Sequence, residues 1–274
     1  MKPTLAGYAR ASTIAEATAW LAEADGDAKV IAGGQSLMAA INMGLGGDTR
    51  LIDINGIEAL KGIRLEGDRL VIGALTRHAE LGRHPLIAEH APLLTRAVPL
   101  IAHEAIRTRG TIGGSLSHAD PAAELPACVL ALDALIRISG PGGEREVAAD
   151  DFFEDVYVTD LAQDEIVTAI SLPLAAAKEA QLIRELSRRA GDFALAGIAL
   201  VRRPSGHRVA FFGTGPRPML GRSVMAALDA GDLAAALAAV PEDIDPQSDP
   251  HASAAYRRHL ASVLLRRCLE DLAA

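Results

Sequence analysis

Val30-Ile31-Ala32-Gly33-Gly34-Gln35-Ser36-Leu37 decides the reading of this chain. A β-branched run stops at two glycines, and the helix formers Leu37, Met38, Ala39 and Ala40 follow. The pattern is a strand, a tight turn and the start of a helix. Glycine permits a left-handed backbone there and removes the Cβ atoms that would hold a ligand away. The unpaired N–H groups at the start of the helix, with the positive end of its dipole, suit an anion. Gly110-Thr111-Ile112-Gly113-Gly114-Ser115 repeats that chemistry far along the chain. Together the two stretches read as phosphate-cradling turns that grip one diphosphate-containing cofactor.

Neither stretch is a familiar nucleotide motif. The Gly-x-Gly-x-x-Gly spacing of dinucleotide folds is missing from 32–37, and Gly-Lys-Ser/Thr occurs nowhere. One Gly-Gly turn reads more readily as a plain strand–helix connection. Two such turns, each ending in a hydroxyl (Ser36, Ser115), offer donors for two phosphates without a formal cation.

The bulk numbers bound the rest. At 274 residues the chain is long for one core, so two domains are expected. Net charge is −8 with no basic block, which excludes nucleic acid as the natural partner. Met1-Lys2-Pro3-Thr4 leads into mixed polar sequence rather than a secretory leader. No window approaches the roughly 18 uninterrupted apolar residues of a membrane helix. The expected location is the cytoplasm, with no integral membrane segment. Cys128 and Cys268 are the only cysteines and read as small buried hydrophobes. They cannot supply the four thiolates of an iron–sulfur cluster, and no metal site is expected.

Taken in order, Thr13-Ile14-Ala15-Glu16 reads as a capping box opening a helix, with Ile14, Ala17, Leu21 and Ala24 on one face. Asp25-Gly26-Asp27 ends it. Lys29–Ala32 and Arg50–Ile54 read as strands of a β-α-β-like unit. Ile63–Glu66 and Arg69–Gly73 read as a hairpin. Thr76 can cap a helix, Leu86–Val98 reads as one helix, and another runs from Ala122 to Leu132. A second hairpin joins Ala134–Ser139 to Glu144–Val147, and Glu165–Leu172 reads as a strand. A boundary is expected near Leu174–Glu179. Beyond it come antiparallel strands at Gly197–Arg202 and His207–Phe212. Helices follow at Ser223–Leu228, Leu233–Ala239 and Ala252–Leu272.

After the second glycine stretch comes His118-Ala119-Asp120-Pro121-Ala122-Ala123-Glu124. Carboxylates are repelled by a diphosphate, so Asp120 and Glu124 should face sugar-like hydroxyls. Asp120 can equally be the N-cap of a helix with Pro121 at its first position. His118 has no identifiable nucleophile, metal partner or orienting group and reads as a loop histidine.

Ala32-Gly33-Gly34-Gln35-Ser36-Leu37, Ile106-Arg107-x-Arg109-Gly110-Thr111-Ile112-Gly113-Gly114 and His118 to Glu124 closely resemble the FAD-binding medium subunit of molybdenum hydroxylases. Arg188-x-x-Gly191-Asp192-Phe193-Ala194 and the terminal Tyr256-Arg257-Arg258 resemble it too. The resemblance implies an α+β fold. A PCMH/vanillyl-alcohol-oxidase-type FAD domain would occupy 1–174, in subdomains of about 1–57 and 58–174. A C-terminal α+β domain with a small antiparallel sheet and helices would occupy 175–274. FAD would place its diphosphate against Ala32–Leu37 and Thr111–Ser115, with Asp120 and Glu124 on ribityl or adenosine hydroxyls. Ile101, Val167 and Arg184 match positions that touch the flavin or adenine in similar proteins. Ser115 stands where many relatives carry Asn. Phe193 stands where several place a Tyr beside the isoalloxazine, keeping the stacking surface without the hydroxyl.

The same resemblance implies partners: a large molybdenum-cofactor subunit and a small subunit with 2Fe–2S clusters, in a dimer of heterotrimers. Electrons would pass from the clusters through FAD to an external acceptor. The rivals are a stand-alone FAD-dependent oxidase of the same fold and an assembly subunit that has lost FAD. The small C-terminal region without a catalytic cluster speaks against the first. The intact glycine turns speak against the second.

Overall fold

A computed structural model of the chain describes residues 5–45 and 48–273; Met1–Thr4, read as free of a leader, lie outside the described residues. The chain begins with β1 (Leu5–Arg10), α1 (Ile14–Glu23), β2 (Ala28–Ile31), α2 (Leu37–Asn42) and β3 (Thr49–Asp53). The strands form a parallel sheet in the order β1-β3-β2. Thr13 Oγ1 accepts the Glu16 N–H at 3.1 Å, as the capping box predicts. The Glu16 carboxylate reaches back one residue further than expected, to the Ser12 N–H at 2.7 Å. Ala17, Thr18 and Leu21 are the buried face of α1, and Asp25 and Gly26 leave it in left-handed conformations. β1 is an addition to the expected unit: it is a largely exposed edge strand without an apolar run.

The second layer holds β4 (Ile63–Glu66), β5 (Arg69–Gly73), α3 (His78–Leu81), α4 (Pro85–His90), α5 (Pro92–Ala97), α6 (Glu104–Arg107), α7 (Ile112–His118) and α8 (Glu124–Ala131). It continues through β6 (Leu135–Gly140), β7 (Gly143–Ala148), α9 (Ala149–Phe152), β8 (Phe153–Asp155), β9 (Val158–Thr159) and β10 (Ile166–Pro173). Both hairpins form as read, and β10 pairs between them in an antiparallel sheet ordered β4-β5-β10-β6-β7. Three helix expectations are corrected. The 86–98 helix is two helices, because Pro92 excludes a helical Ala91, which sits at φ −139°, ψ 53°. Thr76 caps nothing; α3 begins at His78 after Arg77, and the Thr76 hydroxyl is buried without a partner. α8 starts at Glu124 rather than Ala122, so Asp120 is not its N-cap; Asp120 Oδ1 instead accepts the Ala122 N–H at 2.9 Å and closes the turn before the helix.

β11 (Ala180–Ser187), β12 (Ala194–Arg203), β13 (Gly206–Phe212) and β14 (Met219–Leu220) form the third layer, an antiparallel sheet in that order. α10 (Arg222–Asp229), α11 (Leu233–Asp243) and α12 (Ala254–Ala273) cover its outer face. β11 is a strand the sequence pattern did not show. The middle of β12 and β13 has no polar face. Ala199, Val201, Ala210 and Phe212 join the core that contains α8, while Ile198, Leu200, Val209 and Phe211 pack with α10–α12. Every residue of α8 is buried, as befits a helix held between two sheets. Cys128 and Cys268 are both buried, as expected. Among the described residues no helix is long and apolar enough to cross a membrane.

Candidate functional site

The two glycine stretches meet. A Cβ on Gly33 would lie 2.3 Å from the Arg109 carbonyl oxygen and 2.9 Å from Gly110 Cα, so only glycine lets 32–37 reach that backbone. Gly34 supplies the turn itself, at φ +72°. A side-chain relay ties the junction. Asn55, just past β3, donates from Nδ2 to the Ala32 carbonyl at 2.8 Å and to Asp53 Oδ1 at 2.6 Å. Arg77 donates from Nη2 to Asn55 Oδ1 at 2.7 Å and from Nη1 to the Arg109 carbonyl. Residues 74–78 also run alongside 110–113, with His78 N–H on the Gly110 carbonyl at 3.0 Å and Gly113 N–H on the Ala74 carbonyl at 2.9 Å.

The stretches differ in what they present. The N–H groups of Gly33, Gly34, Gln35, Ser36 and Leu37 have no acceptor among the described residues. Gln35 folds its amide back onto the Gly33 carbonyl at 3.1 Å. The second stretch is not the tight turn expected but the capped start of α7. Its Ile112, Gly113, Gly114 and Ser115 N–H groups are satisfied by Thr76 O, Ala74 O, Thr111 Oγ1 and Thr111 O. Its role is therefore to wall the junction, with the half-buried Ser115 at its edge and Thr111 buried, its hydroxyl taken by the Gly114 N–H. A run of free amides facing a packed glycine wall is the donor set of a polyanion site.

α7 leads away from the junction for about 10 Å, at 1.5 Å per residue. It ends at Ala119 in a left-handed conformation, φ 50°. Asp120 follows, buried, with Oδ2 accepting the Tyr157 hydroxyl at 3.0 Å. Burial and Asp120 push the Tyr157 phenol up to about 12, and its ring lies 4.9 Å from that of His118. Burial lowers the pKa of His118, and Tyr157 is its one ring neighbour among the described residues. Glu124 is only 5% exposed, and burial raises its carboxyl to about 7. Glu185 approaches from β11; burial, then Glu124, raises it to about 8, and its Oε2 is buried without a partner. Acceptors at this end and donors at the other match a ligand with phosphates at one part and hydroxyls at another.

Residues 4–175 match the family described as the FAD binding domain in molybdopterin dehydrogenase, and residues 181–272 match the CO dehydrogenase flavoprotein C-terminal domain. The chain belongs to the FAD-binding medium-subunit family of molybdenum-containing dehydrogenases. It is 36% identical to the carbon monoxide dehydrogenase medium chain of Hydrogenophaga pseudoflava, over 98% of this chain and 97% of that one. It is 35% identical to subunit alpha of the 6-hydroxypseudooxynicotine dehydrogenase complex of Paenarthrobacter nicotinovorans, over 98% and 95%. A solved Hydrogenophaga pseudoflava carbon monoxide dehydrogenase lacking the Mo-pyranopterin moiety superposes with TM-score 0.94 at 35% identity, covering 97% and 96% of the chains. The α+β fold expected from the motifs is that of this family, and the protein is an oxidoreductase flavoprotein subunit.

Within this flavoprotein the remaining predicted residues fall in two places. Ile101 and Val167 are buried in the core that contains α8. Ala102, at φ 39°, abuts Gly191, whose Cβ would lie 2.5 Å from the Ala102 carbonyl oxygen, so the loop before Phe193 meets the Ile101 loop. Phe193 is 63% exposed and thus a surface ring, not core. Arg184 is not brought together with the others. It bonds Asp271 of α12 at 2.9 and 2.5 Å, on the outer face of the sheet, while its neighbour Glu185 faces α8. Asn55, Arg77, Tyr157 and Glu185 were missed because nothing local marks them; each matters through a partner distant in sequence.

Proposed function

We propose that this chain is the electron-transfer flavoprotein subunit of a molybdenum hydroxylase, standing between the iron–sulfur clusters of a partner subunit and an external acceptor. The observation that carries the reading is the contact of Gly33 with Arg109 and Gly110, which sets the free amides of 33–37 against the second glycine stretch. In this reading Ala32–Leu37 and Thr111–Ser115 hold the FAD diphosphate. Asp120 and Glu124 accept from its hydroxyls, Ile101 and Val167 line its apolar parts, and Phe193 offers a stacking face. Arg184 keeps a place only as a neighbour acting through β11. Bound FAD supplies the redox chemistry, taking electrons singly or in pairs. The chain's own residues bind and orient it and keep a polar rim at one end and an apolar wall at the other.

The domains of this reading are 1–174, with subdomains of about 1–57 and 58–174, and 175–274. The partners are a large molybdenum-cofactor subunit and a small iron–sulfur subunit in a dimer of heterotrimers, acting in the cytoplasm. The names of the relatives, a medium chain and a complex subunit, support a multi-subunit assembly. The test is to saturate the purified chain with FAD and mix it with reduced partner subunits. Bleaching of the flavin absorbance is expected; a chain that takes up no FAD, or a flavin that stays oxidised, refutes the reading.

A further inference from the structure

Arg77 has no part in the sequence reading, which has the phosphates held without a formal cation. We propose that Arg77 is both the clasp and the counter-charge of the diphosphate site, locking the 32–37 segment to the 109–110 segment while its own positive charge stays free for a bound diphosphate. This rests on the FAD reading above and adds a residue to it.

Three features of the side chain lead there. Its guanidinium is fixed by two bonds, to the Arg109 carbonyl and to Asn55 Oδ1, and Asn55 passes the tie on to the Ala32 carbonyl. Both acceptors are neutral, so the bonds orient the fork without cancelling its charge. Next, no carboxylate of the described residues lies within ion-pair distance of it, although Arg83, Arg107, Arg137, Arg145, Arg203 and Arg208 each have one. Asp53 and Glu80 are near enough to favour its charge, but Asp53 holds the Tyr8 hydroxyl at 2.5 Å and the Asn55 amide, and among the described residues neither acid forms an ion pair with it. Burial, then the adjacent Arg109 charge, disfavours its protonated form. A half-buried, unpaired cation beside a second one is unfavourable in the absence of an anion. Finally, the side chain is reachable, since it lines an open cavity of about 470 Å³ with Glu80, Arg83, His84 and Thr108, a cavity that residues 32–37 do not line. The free amides of 33–37 are an independent sign that an anion belongs at this junction.

The test uses the full-length chain freed of flavin, titrated with FAD by fluorescence quenching at several salt concentrations. For Arg77→Gln the expected result is a ten- to hundred-fold weaker Kd, in line with loss of charge-assisted bonds. A shallower dependence of Kd on salt accompanies it, because one screened attraction is gone. Arg77→Lys keeps the salt dependence but recovers only part of the affinity, since an ammonium cannot bridge both acceptors. Asn55→Ala loosens the clasp and weakens FAD with the salt dependence intact. Thermal unfolding of each flavin-free variant separates misfolding from weak binding. An Arg77→Gln chain with unchanged Kd, or with a weakened Kd and unchanged salt dependence, overturns the assignment of Arg77 alone. A wild-type chain that binds no FAD overturns both this proposal and the reading beneath it.

Discussion

Gly33→Ala is the sharpest perturbation of the junction. Gly33 does not need a left-handed backbone, so alanine there meets no conformational penalty and the effect is steric alone. The new Cβ would sit 2.3 Å from the Arg109 carbonyl oxygen, 2.9 Å from its carbon and 2.9 Å from Gly110 Cα. All three are backbone atoms, and the carbonyl is held by Arg77, so no side chain can swing away. Relief requires the two segments to part by roughly 1 Å, with an overpacking cost of about 1–3 kcal/mol. For a chain of this size that lowers Tm by about 2–12 °C. Parting the segments also moves the free amides away from the glycine wall. A loss of about 1.5–3 kcal/mol of binding, some ten- to hundred-fold in the Kd for FAD, is expected. Gly142→Ala is the control, because nothing lies within 4 Å of its Cβ position. Calorimetry and FAD titration of both variants decide the matter. If Gly33→Ala melts and binds like Gly142→Ala, the contact is not what builds the site.

Tyr157→Phe removes the hydroxyl that donates to Asp120 at 3.0 Å, and about 1 kcal/mol of binding, a five- to ten-fold rise in the Kd for FAD, should go with it. An unchanged Kd would show Asp120 to be held by its turn alone. The Glu124 and Glu185 carboxyls are raised by burial to about 7 and about 8 from the ordinary 4.5, so the folded state binds the extra protons. Their stabilising contribution is complete below pH 4.5 and is lost as pH rises through 7 and 8. Glu185→Gln should therefore gain Tm over the wild type between pH 6 and pH 9, and a difference flat in pH would contradict the burial of that carboxyl. Asp243 accepts the Ser223 and Val224 N–H groups at 3.0 and 2.8 Å across the start of α10. Asp243→Ala should cost about 1–3 kcal/mol in denaturant unfolding without altering FAD affinity.

Local chemistry determined a great deal without any fold. Both hairpins, the 32–37 strand–turn–helix, the 13–16 cap and the outer helices follow from periodicities and turn residues that act over a few positions. The glycine stretches and the His118–Glu124 segment carried the family and its cofactor, because a motif keeps its residue types wherever it folds. Pro92 splits the 86–98 segment by an equally local rule, its effect on the backbone of Ala91. β1 and β11 escaped because both are partly exposed edge strands whose mixed polar and apolar residues break the alternation that marks a strand. Only the tertiary structure could set Gly33 against Arg109, run Asn55 and Arg77 between them, and spend the Ile112 and Gly113 amides on the Thr76 and Ala74 carbonyls rather than on a ligand. It also decided that Glu185 and not Arg184 faces α8, a choice that turns on the one-residue register of β11. Sequence specifies which groups a chain owns and how its near neighbours pair. Which distant groups come within a few ångströms is settled by how the layers pack, and that is where the unpaired charge of Arg77 comes from.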